Sequence, residues 1–149
     1  KLPILIPENY IPDLSLRLSL YRKLGEINDY HGIDIFKDEM INRFGEIPSE
    51  FLNLLDIMYL KILCIKANII KLNITSNKFF IFFNKNFDSY SENFVKWITS
   101  NKSNIILNNT HNIEFLHNIE TPEKQLLNVI ELTNKIIRLL NYQITTNRE

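Results

Sequence analysis

The feature that most constrains the fold of this chain is a break within the stretch "EMINRFGEIP". Before the break, helical spacing places Phe36, Met40 and Phe44 on one face of a helix. Gly45 follows at the position where a helix commonly ends in the left-handed conformation. Pro48 suits the first turn of a new helix, because an amide donor has no partner there. The pattern predicts two helices joined by a short turn that fixes the angle between them.

An extended arm and one further helix are predicted before this pair. Prolines at positions 3, 7 and 12 exclude a helix from residues 1–12 and favour an arm or an edge strand. The leucines that follow are compatible with a strand as well as with a helix. We predict a helix from Leu14, since Asp13 is a suitable N-cap. A break is predicted from Gly25 to Gly32, with His31 in this loop.

Two longer helices are predicted after that loop. The second helix starts near Asp34, with Asp34 or Asn28 as its cap, and ends at the break described above. The third helix, from Pro48 to about Ala67, is apolar on nearly every side and is predicted to be the central buried helix. Asn68 is a candidate for a left-handed cap after it.

Strands and helices alternate in the second half. Hairpins are predicted from "IIKLNIT" with "KFFIFF" and from "NIILNN" with "NIEFLHNI". Ser89 and Glu92 have capping-box spacing before a short helix, and Thr121 begins a last helix that extends to about Tyr142. The apolar stripe of the last helix consists of Leu126, Ile130, Ile137 and Leu140.

These elements predict an α+β fold, with N-terminal helices followed by two β-hairpins that alternate with helices. A small antiparallel sheet is expected to pack on the helices. We expect one domain over residues 1–144 and a frayed tail over residues 145–149. Because the chain begins with Lys1, it is interpreted as part of a longer protein.

Charge and composition restrict the classes of function. Seventeen basic residues balance seventeen acidic ones, so no net field attracts a nucleic acid or an anionic membrane. Cys64 is the only cysteine, which excludes an internal disulfide and a cysteine-rich zinc site. The three glycines form no phosphate-binding loop for ATP. No membrane span or signal peptide is recognised, and a cytoplasmic location is expected.

A metal-dependent site is one alternative function. His111 and His117 lie around a predicted strand, with Glu114 and Glu120 nearby, and these residue types bind zinc. Residues at this spacing share one face of a strand. Histidines at the edge of the core or in solvent are the favoured interpretation, since no other ligand is close in the sequence.

A nucleic-acid contact is a second alternative. Arg17, Arg22 and Lys23, together with Tyr21, would form a small basic patch on the first helix. The strand "KFFIFF" would offer aromatic rings for stacking on bases, from Phe79, Phe80, Phe82 and Phe83. A solvated helix face and core packing are the simpler interpretations of these residues.

The second helix carries the candidate that we favour. Glu39 and Arg43 are spaced for an ion pair within one helix, with Asn42 between them. The same three side chains are placed to meet complementary charges on a partner. There they would set orientation and specificity more than affinity. The residues alone leave both interpretations open.

Three stretches together resemble the C-terminal domain of the bacterial transcription-repair coupling factor. They are "LIPENYIPDLSLRLSLYRKL", "DEMINRFGEIPSEFLNLLDIMYLKIL" and "ANIIKLNI". Their specific elements are the arm I-P-x-x-Y-I-P-D, the helix R-L-x-L-Y-R-K and the break E-x-x-x-R-F-G-x-x-P, in this order. From Phe79 onward only the order of the elements matches the family.

The resemblance implies a non-catalytic regulatory domain of a large ATP-driven DNA translocase that acts in nucleotide-excision repair. In this family the domain docks on an N-terminal module that resembles the excinuclease B protein. Docking hides the surface that the excinuclease A protein needs, and it restrains the motor until RNA polymerase is engaged. The resemblance therefore implies no cofactor in this chain, while ATP, Mg²⁺ and DNA belong to other domains of the parent.

Residue by residue, the resemblance assigns partner binding to Glu39, Asn42 and Arg43. The family has an acidic, an acidic and a basic residue at these positions, so Asn42 is a departure from its pattern. A neutral amide removes one possible ion pair. This implies either weaker docking or a changed partner surface.

Overall fold

The computed structural model describes residues 2–84, 92–109, 111–118 and 121–148, without the side chains of 109 and 141–148. The order of the elements confirms the predicted α+β class. In chain order they are α1 (Leu14–Glu26), α2 (Tyr30–Phe44), α3 (Ser49–Lys66), β1 (Ile69–Ile74), β2 (Lys78–Phe83), α4 (Glu92–Ser100), β3 (Ile105–Asn109), β4 (Asn112–Leu116) and α5 (Pro122–Arg148).

The chain forms two compact units, Lys1–Ile62 and Leu63–Glu149, which we call unit 1 and unit 2. The expectation of one domain over residues 1–144 with a frayed tail over residues 145–149 stays a prediction. Helix α5 is assigned through Arg148, beyond its predicted end near Tyr142.

Unit 1 is a small helical core closed by the N-terminal arm. The Tyr10 ring of the arm meets Phe44 and Phe51 edge to face, with both centroid distances at 5.9 Å. Aromatic pairs of this geometry contribute roughly 0.5 to 1.5 kcal/mol beyond the burial of their area. The buried core residues are Ile6, Ile11, Leu20, Leu24, Phe36, Met40, Ile47, Phe51 and Leu55.

Hydrogen bonds fix the arm, and none of its described residues belongs to a strand. The amide of Ile6 donates to the Tyr21 hydroxyl at 2.7 Å. Arg17 donates from Nη1 to the carbonyls of Ile11 and Pro12, at 2.7 and 2.9 Å. The arm is non-helical, as predicted, but it turns at residues 8–10, where the amides of Tyr10 and Ile11 donate to the Pro7 carbonyl. Two side chains of α1 satisfy three of its backbone polar groups.

Helix α1 starts as predicted, because the Asp13 carboxylate accepts from the amides of Ser15 and Leu16. The loop after it is shorter than predicted. Helix α1 continues to Glu26, and α2 already begins at Tyr30. The predicted break from Gly25 to Gly32 is therefore wrong at both of its ends.

Asp29 explains the early start of α2. Its carboxylate accepts from the amide of Gly32 at 2.6 Å, so Asp29 is the N-cap in place of Asp34 or Asn28. A Cβ atom on Gly32 would lie 2.8 Å from Ile27 Cγ2. Gly32 thus allows close packing inside the first turn and does not mark a break. His31 lies in this turn of α2, not in a loop.

The break between α2 and α3 is confirmed. Gly45 has φ of 90°, and its amide donates to the Ile41 carbonyl at 2.9 Å. The carbonyl of Pro48 accepts from Phe51 and Leu52, both at 3.0 Å, so α3 starts immediately after the proline. Only glycine adopts this value of φ readily.

Helix α3 is less buried than predicted. Phe51, Leu55 and Leu60 are buried, but Ile65 is 69% exposed. Ile65 lies one turn after the exposed Lys61, on the same face of the helix. An apolar composition does not by itself indicate which face a neighbour covers. Asn68, just beyond α3, adopts the predicted left-handed conformation with φ of 59°.

Unit 2 contains a four-stranded antiparallel sheet of order β1-β2-β4-β3. Both predicted hairpins are present, and their second strands, β2 and β4, pair at the centre. On β2, Phe79, Ile81 and Phe83 are buried, while Phe80 and Phe82 on the opposite face are half-buried.

Helix α4 packs on the buried face of the sheet and against α5. Phe94 meets Phe83 edge to face at 6.3 Å, and Trp97 lies 6.0 Å from Phe115. Ser89, the first residue of the predicted capping box, lies outside the described residues. Among the α5 side chains that the structure describes, those of 122–140, the buried ones are Leu126, Val129, Ile130, Thr133 and Ile136, and of these Leu126 and Ile130 belong to the predicted stripe.

Gly25 and Gly45 offer a matched test of the break. A Cβ atom would meet nothing within 4 Å at either position, and only Gly45 has a positive φ. We expect Gly45→Ala to lower the free energy of unfolding by about 1 kcal/mol or more, through strain at this φ. Gly25→Ala, inside α1, is expected to raise it by about 0.5 kcal/mol. Urea unfolding followed by far-ultraviolet circular dichroism measures both changes, and equal effects would contradict the role given to Gly45.

Candidate docking site on helices α1 and α2

The candidate site lies where the exposed edge of α2 meets α1. Phe36 and Met40 are buried along one face of α2. Glu39 and Arg43 lie at the edge of that face, in the last turns of the helix, and stay partly exposed. Lys23, in the last turn of α1, reaches the same point.

Three charged side chains form a connected cluster, which we call the docking cluster: Lys23, Glu39 and Arg43. Lys23 Nζ lies 2.7 Å from Glu39 Oε2, and Arg43 Nη1 lies 3.3 Å from Glu39 Oε1. Each oxygen of the carboxylate is thus engaged by a different cation. The side chains of Lys23 and Arg43 are 53% and 47% exposed, whereas that of Glu39 is 32% exposed.

The cluster lowers the pKa of Glu39. The hydrogen bond from Lys23 has the largest effect, and Arg43 lowers the pKa further, while partial burial acts in the opposite direction. Glu39 is therefore a carboxylate at neutral pH. It holds the two cations of α1 and α2 beside each other.

Arg43 and Asn42 complete the exposed edge of α2. The Arg43 guanidinium carbon lies 4.9 Å from the centroid of the Phe44 ring, which is a cation–π geometry. Asn42 is exposed on the same helix. The structure thus joins Glu39 and Arg43 in the predicted ion pair, and Asn42 takes no part in it.

Lys23 was missing from the predicted site. Its bond to Glu39 is shorter than that of Arg43, yet it comes from another helix, sixteen residues away in sequence. The spacing rule for a single helix finds only pairs three or four residues apart. No local signal in the sequence could have identified this contact, since it depends on how α1 packs on α2.

The residues of the predicted basic patch are largely engaged within unit 1. Arg17 and Tyr21 hold the arm, and Lys23 belongs to the docking cluster. Arg22 is exposed. These contacts favour a structural role for most of the patch.

The phenylalanine strand forms part of the core of unit 2. Burial alternates strictly along β2, so Phe79 and Phe83 face the covered side of the sheet. On the other face, Lys71 Nζ lies 5.4 Å from the centroid of the Phe82 ring.

The histidines do not join a recognisable metal site. Within the described part of the chain, no group of three His, Cys, Asp or Glu side chains could hold an ion. Glu114 is paired with Lys78 at 2.7 Å, which lowers its pKa. The His117 ring lies 5.3 Å from Phe79. Glu120, the remaining candidate ligand, lies outside the described residues.

The thiol of Cys64 is poorly suited to nucleophilic chemistry. Burial raises its pKa to about 11, so the thiol is neutral at physiological pH. Cys64 is half-buried, and a neutral thiol there behaves as a small apolar side chain. Among the described helices, none is both long and apolar enough to cross a membrane.

Comparison with known proteins identifies relatives of this chain. The TRCF domain family matches residues 1–94. The transcription-repair-coupling factor of Rickettsia bellii is 42% identical over 115 residues, which are 77% of this chain and 10% of the relative. That of Rickettsia conorii is 46% identical over 99 residues, which are 66% of this chain and 9% of the relative. The chain thus spans about a tenth of the length of these curated relatives.

A solved structure has the same fold. A crystal structure of the C-terminal domain of transcription-repair coupling factor superposes with a TM-score of 0.77 at 19% identity. The match covers 95% of this chain and 91% of that chain. It extends over the second half, where the sequence resembles the family only in the order of its elements.

The pKa of Glu39 tests the geometry of the docking cluster. We expect Lys23→Met to raise this pKa towards its ordinary value more than Arg43→Met does, because Lys23 makes the shorter bond. The pKa is lowered in the folded state, so the stability that it contributes is present above the ordinary glutamate pKa. This stability is lost as the pH falls through the folded pKa. NMR titration of the Glu39 side-chain carboxyl carbon measures the shifts, and a larger effect of Arg43→Met would contradict the arrangement.

Proposed function

The chain belongs to the TRCF domain family, and on this premise we propose that it is the C-terminal regulatory domain of a bacterial transcription-repair coupling factor. In this role it docks on the N-terminal excinuclease-B-like module of the same polypeptide. Docking masks the surface that the excinuclease A protein binds, and it restrains the motor until RNA polymerase is engaged. The proposed location is the cytoplasm.

The docking cluster is the observation that carries this proposal. Glu39 is held from two sides by cations of two helices, at 2.7 and 3.3 Å, and all three side chains reach the solvent. An exposed pair of this kind contributes little to stability, roughly 0 to 1 kcal/mol. Charges fixed on rigid helices are better suited to orient a partner than to stabilise the fold.

The turn after α2 supports the same interpretation. Gly45 ends the helix, and the hydroxyl of Tyr10 donates to its carbonyl at 2.8 Å. The Met40 carbonyl lies 3.2 Å from the same hydroxyl and shares its single proton. The end of α2 that carries Arg43 is therefore tied to the arm, and a partner meets this surface without reordering it.

The proposed role is binding without catalysis. We propose that ATP hydrolysis with Mg²⁺, and the contacts to DNA and RNA polymerase, belong to other parts of the longer protein. A metal-dependent or nucleic-acid-binding function has less support from the contacts. Glu114 already forms an ion pair with Lys78, and Arg17 and Tyr21 are already hydrogen-bonded to the arm.

The double substitution Glu39→Ala, Arg43→Ala tests the proposed docking. We expect it to leave the fold intact and to weaken binding to the separately expressed N-terminal module by about tenfold or more, through loss of the charge array. Isothermal titration calorimetry measures the affinity, and circular dichroism measures the fold.

A matched control exists in unit 2. Glu92 and Lys96 form an exposed ion pair of the same spacing on α4, at 3.1 Å. The double substitution Glu92→Ala, Lys96→Ala removes the same chemistry from another surface, so binding is expected to stay at the wild-type level. If both double variants bind the N-terminal module with the same affinity, Glu39 and Arg43 do not belong to the proposed interface.

A further inference from the structure

The sheet of unit 2 has a covered face and an open face. Helix α4 packs on the covered face, where Phe94 meets Phe83 of β2. Phe80 and Phe82 alternate with the covered residues of β2 and lie on the open face. Among the described residues, no aromatic ring contacts either of these two side chains. Two rings on a central strand therefore face away from the aromatic core of unit 2.

The two rings form a short row along β2. They are two residues apart on one strand, so roughly 7 Å separates their positions along it. On β1, Lys71 lies opposite Phe82 and Asn73 lies opposite Phe80, and the rings are half-buried between such neighbours. Bases of an extended single strand have a similar spacing, so two successive bases can stack on the two rings.

Lysines flank the row at both ends. Lys71 is exposed opposite Phe82, and its Nζ atom lies 5.4 Å from the centroid of that ring. Lys78 precedes Phe80 by two residues on the same face of β2, and its side chain is 40% exposed. The row of rings thus has an ammonium group near each end, where the phosphates of a bound strand would lie.

One carboxylate lies on the same face and does not cancel this charge. Glu114 of β4 is opposite Phe80 and pairs with Lys78 at 2.7 Å, and its side chain is only 12% exposed. The four strands contain no other acidic residue. Lys71 forms no ion pair with a described residue, so the strands carry a net positive charge. In unit 2 as a whole, basic residues outnumber acidic ones, whereas the reverse holds in unit 1.

These features suit a single-stranded nucleic acid better than an acidic protein. A base presents a flat π face, which stacks on an aromatic ring whatever the sequence. One unpaired lysine is enough for a phosphate contact, but it is not the array of cations that an acidic protein surface would select. Asn73 is exposed opposite Phe80 and offers its amide to the edge of a base. A duplex keeps its bases inside the stack and presents no base face to the rings.

From this arrangement we propose that the open face of the sheet binds single-stranded DNA or RNA. Successive bases stack on Phe80 and Phe82, and the Lys71 ammonium pairs with a phosphate beside them. This surface is separate from the docking cluster and from the basic patch on α1. It is an additional contact beside those that the proposed function assigns to other parts of the longer protein, and it does not depend on docking.

Fluorescence anisotropy with short labelled strands of oligo(dT) and oligo(U) tests the proposal. We expect micromolar binding at low salt to one or both strands, and weaker binding to a duplex of equal charge. The relative affinity of the two strands identifies DNA or RNA as the preferred ligand. Unlabelled poly-glutamate is added as a competitor that carries charge without bases, and we expect it to displace the strand poorly.

Substitutions on the open face separate stacking from charge. Phe80→Leu and Phe82→Leu retain an apolar side chain and remove the ring, so each is expected to weaken binding about fivefold or more. Phe80→Tyr retains the ring and should bind like the wild type. Lys71→Met should reduce the slope of log affinity against log salt by roughly 0.7, the value for one phosphate contact of a single strand. Lys96→Met, on α4, is the matched control, since it removes an exposed lysine from another surface.

The outcomes of this experiment are distinct from those for docking. If the wild-type chain binds neither strand at low salt, this proposal is overturned, whatever the result with the N-terminal module. Binding that survives both leucine substitutions also overturns it, because such binding rests on charge alone. Displacement by poly-glutamate as effective as by unlabelled strand identifies an acidic protein as the better ligand and has the same consequence. Loss of binding in both leucine variants, with Phe80→Tyr and Lys96→Met unchanged and all variants folded by circular dichroism, supports the proposal.

Discussion

The Tyr10 hydroxyl is the contact on which the rest of unit 1 depends. Its single proton is shared between the carbonyls of Met40 and Gly45, while the ring packs against Phe44 and Phe51. One side chain thus joins the arm, α2 and α3. Burial raises the pKa of Tyr10, so the hydroxyl retains its proton and can donate. The nearer of these carbonyls belongs to Gly45, whose φ is 90°.

Because the arm holds the end of α2 in place, the weak ion pairs of the docking cluster have a fixed geometry. Exposed ion pairs contribute little to stability, and the docking cluster is no exception. Its value lies in geometry, because α1 supplies Lys23, α2 supplies Glu39 and Arg43, and the arm fixes the end of α2. A charge array with fixed spacing selects a partner by its complementary charges. The cluster is thus suited to recognition, and the aromatic contacts beneath it provide stability.

In unit 2, local sequence patterns predict each hairpin but not how the two hairpins pair into one sheet. Each hairpin was predictable, because alternation and turn residues act over a few positions. The pairing of β2 with β4 joins strands from different hairpins, in a register that places Ile81 opposite Ile113. Burial of Ile81, Ile113 and Phe115 determines that register, since a shift by one residue would expose them. The two hairpin-and-helix halves meet there with their second strands adjacent.

The sequence by itself determined the helices of unit 1, the break at Gly45 and Pro48, the Asp13 cap and both hairpins. These signals act through the backbone conformation of single residues or through bonds to neighbours a few positions away. The sequence also identified Glu39 and Arg43 as a candidate ion pair, because they are four residues apart on one helix. Only the tertiary structure decided that Lys23 joins them, that Arg17 and Tyr21 hold the arm, and that Ile65 is exposed. Such contacts join residues far apart along the chain, so they exist only after the elements have packed.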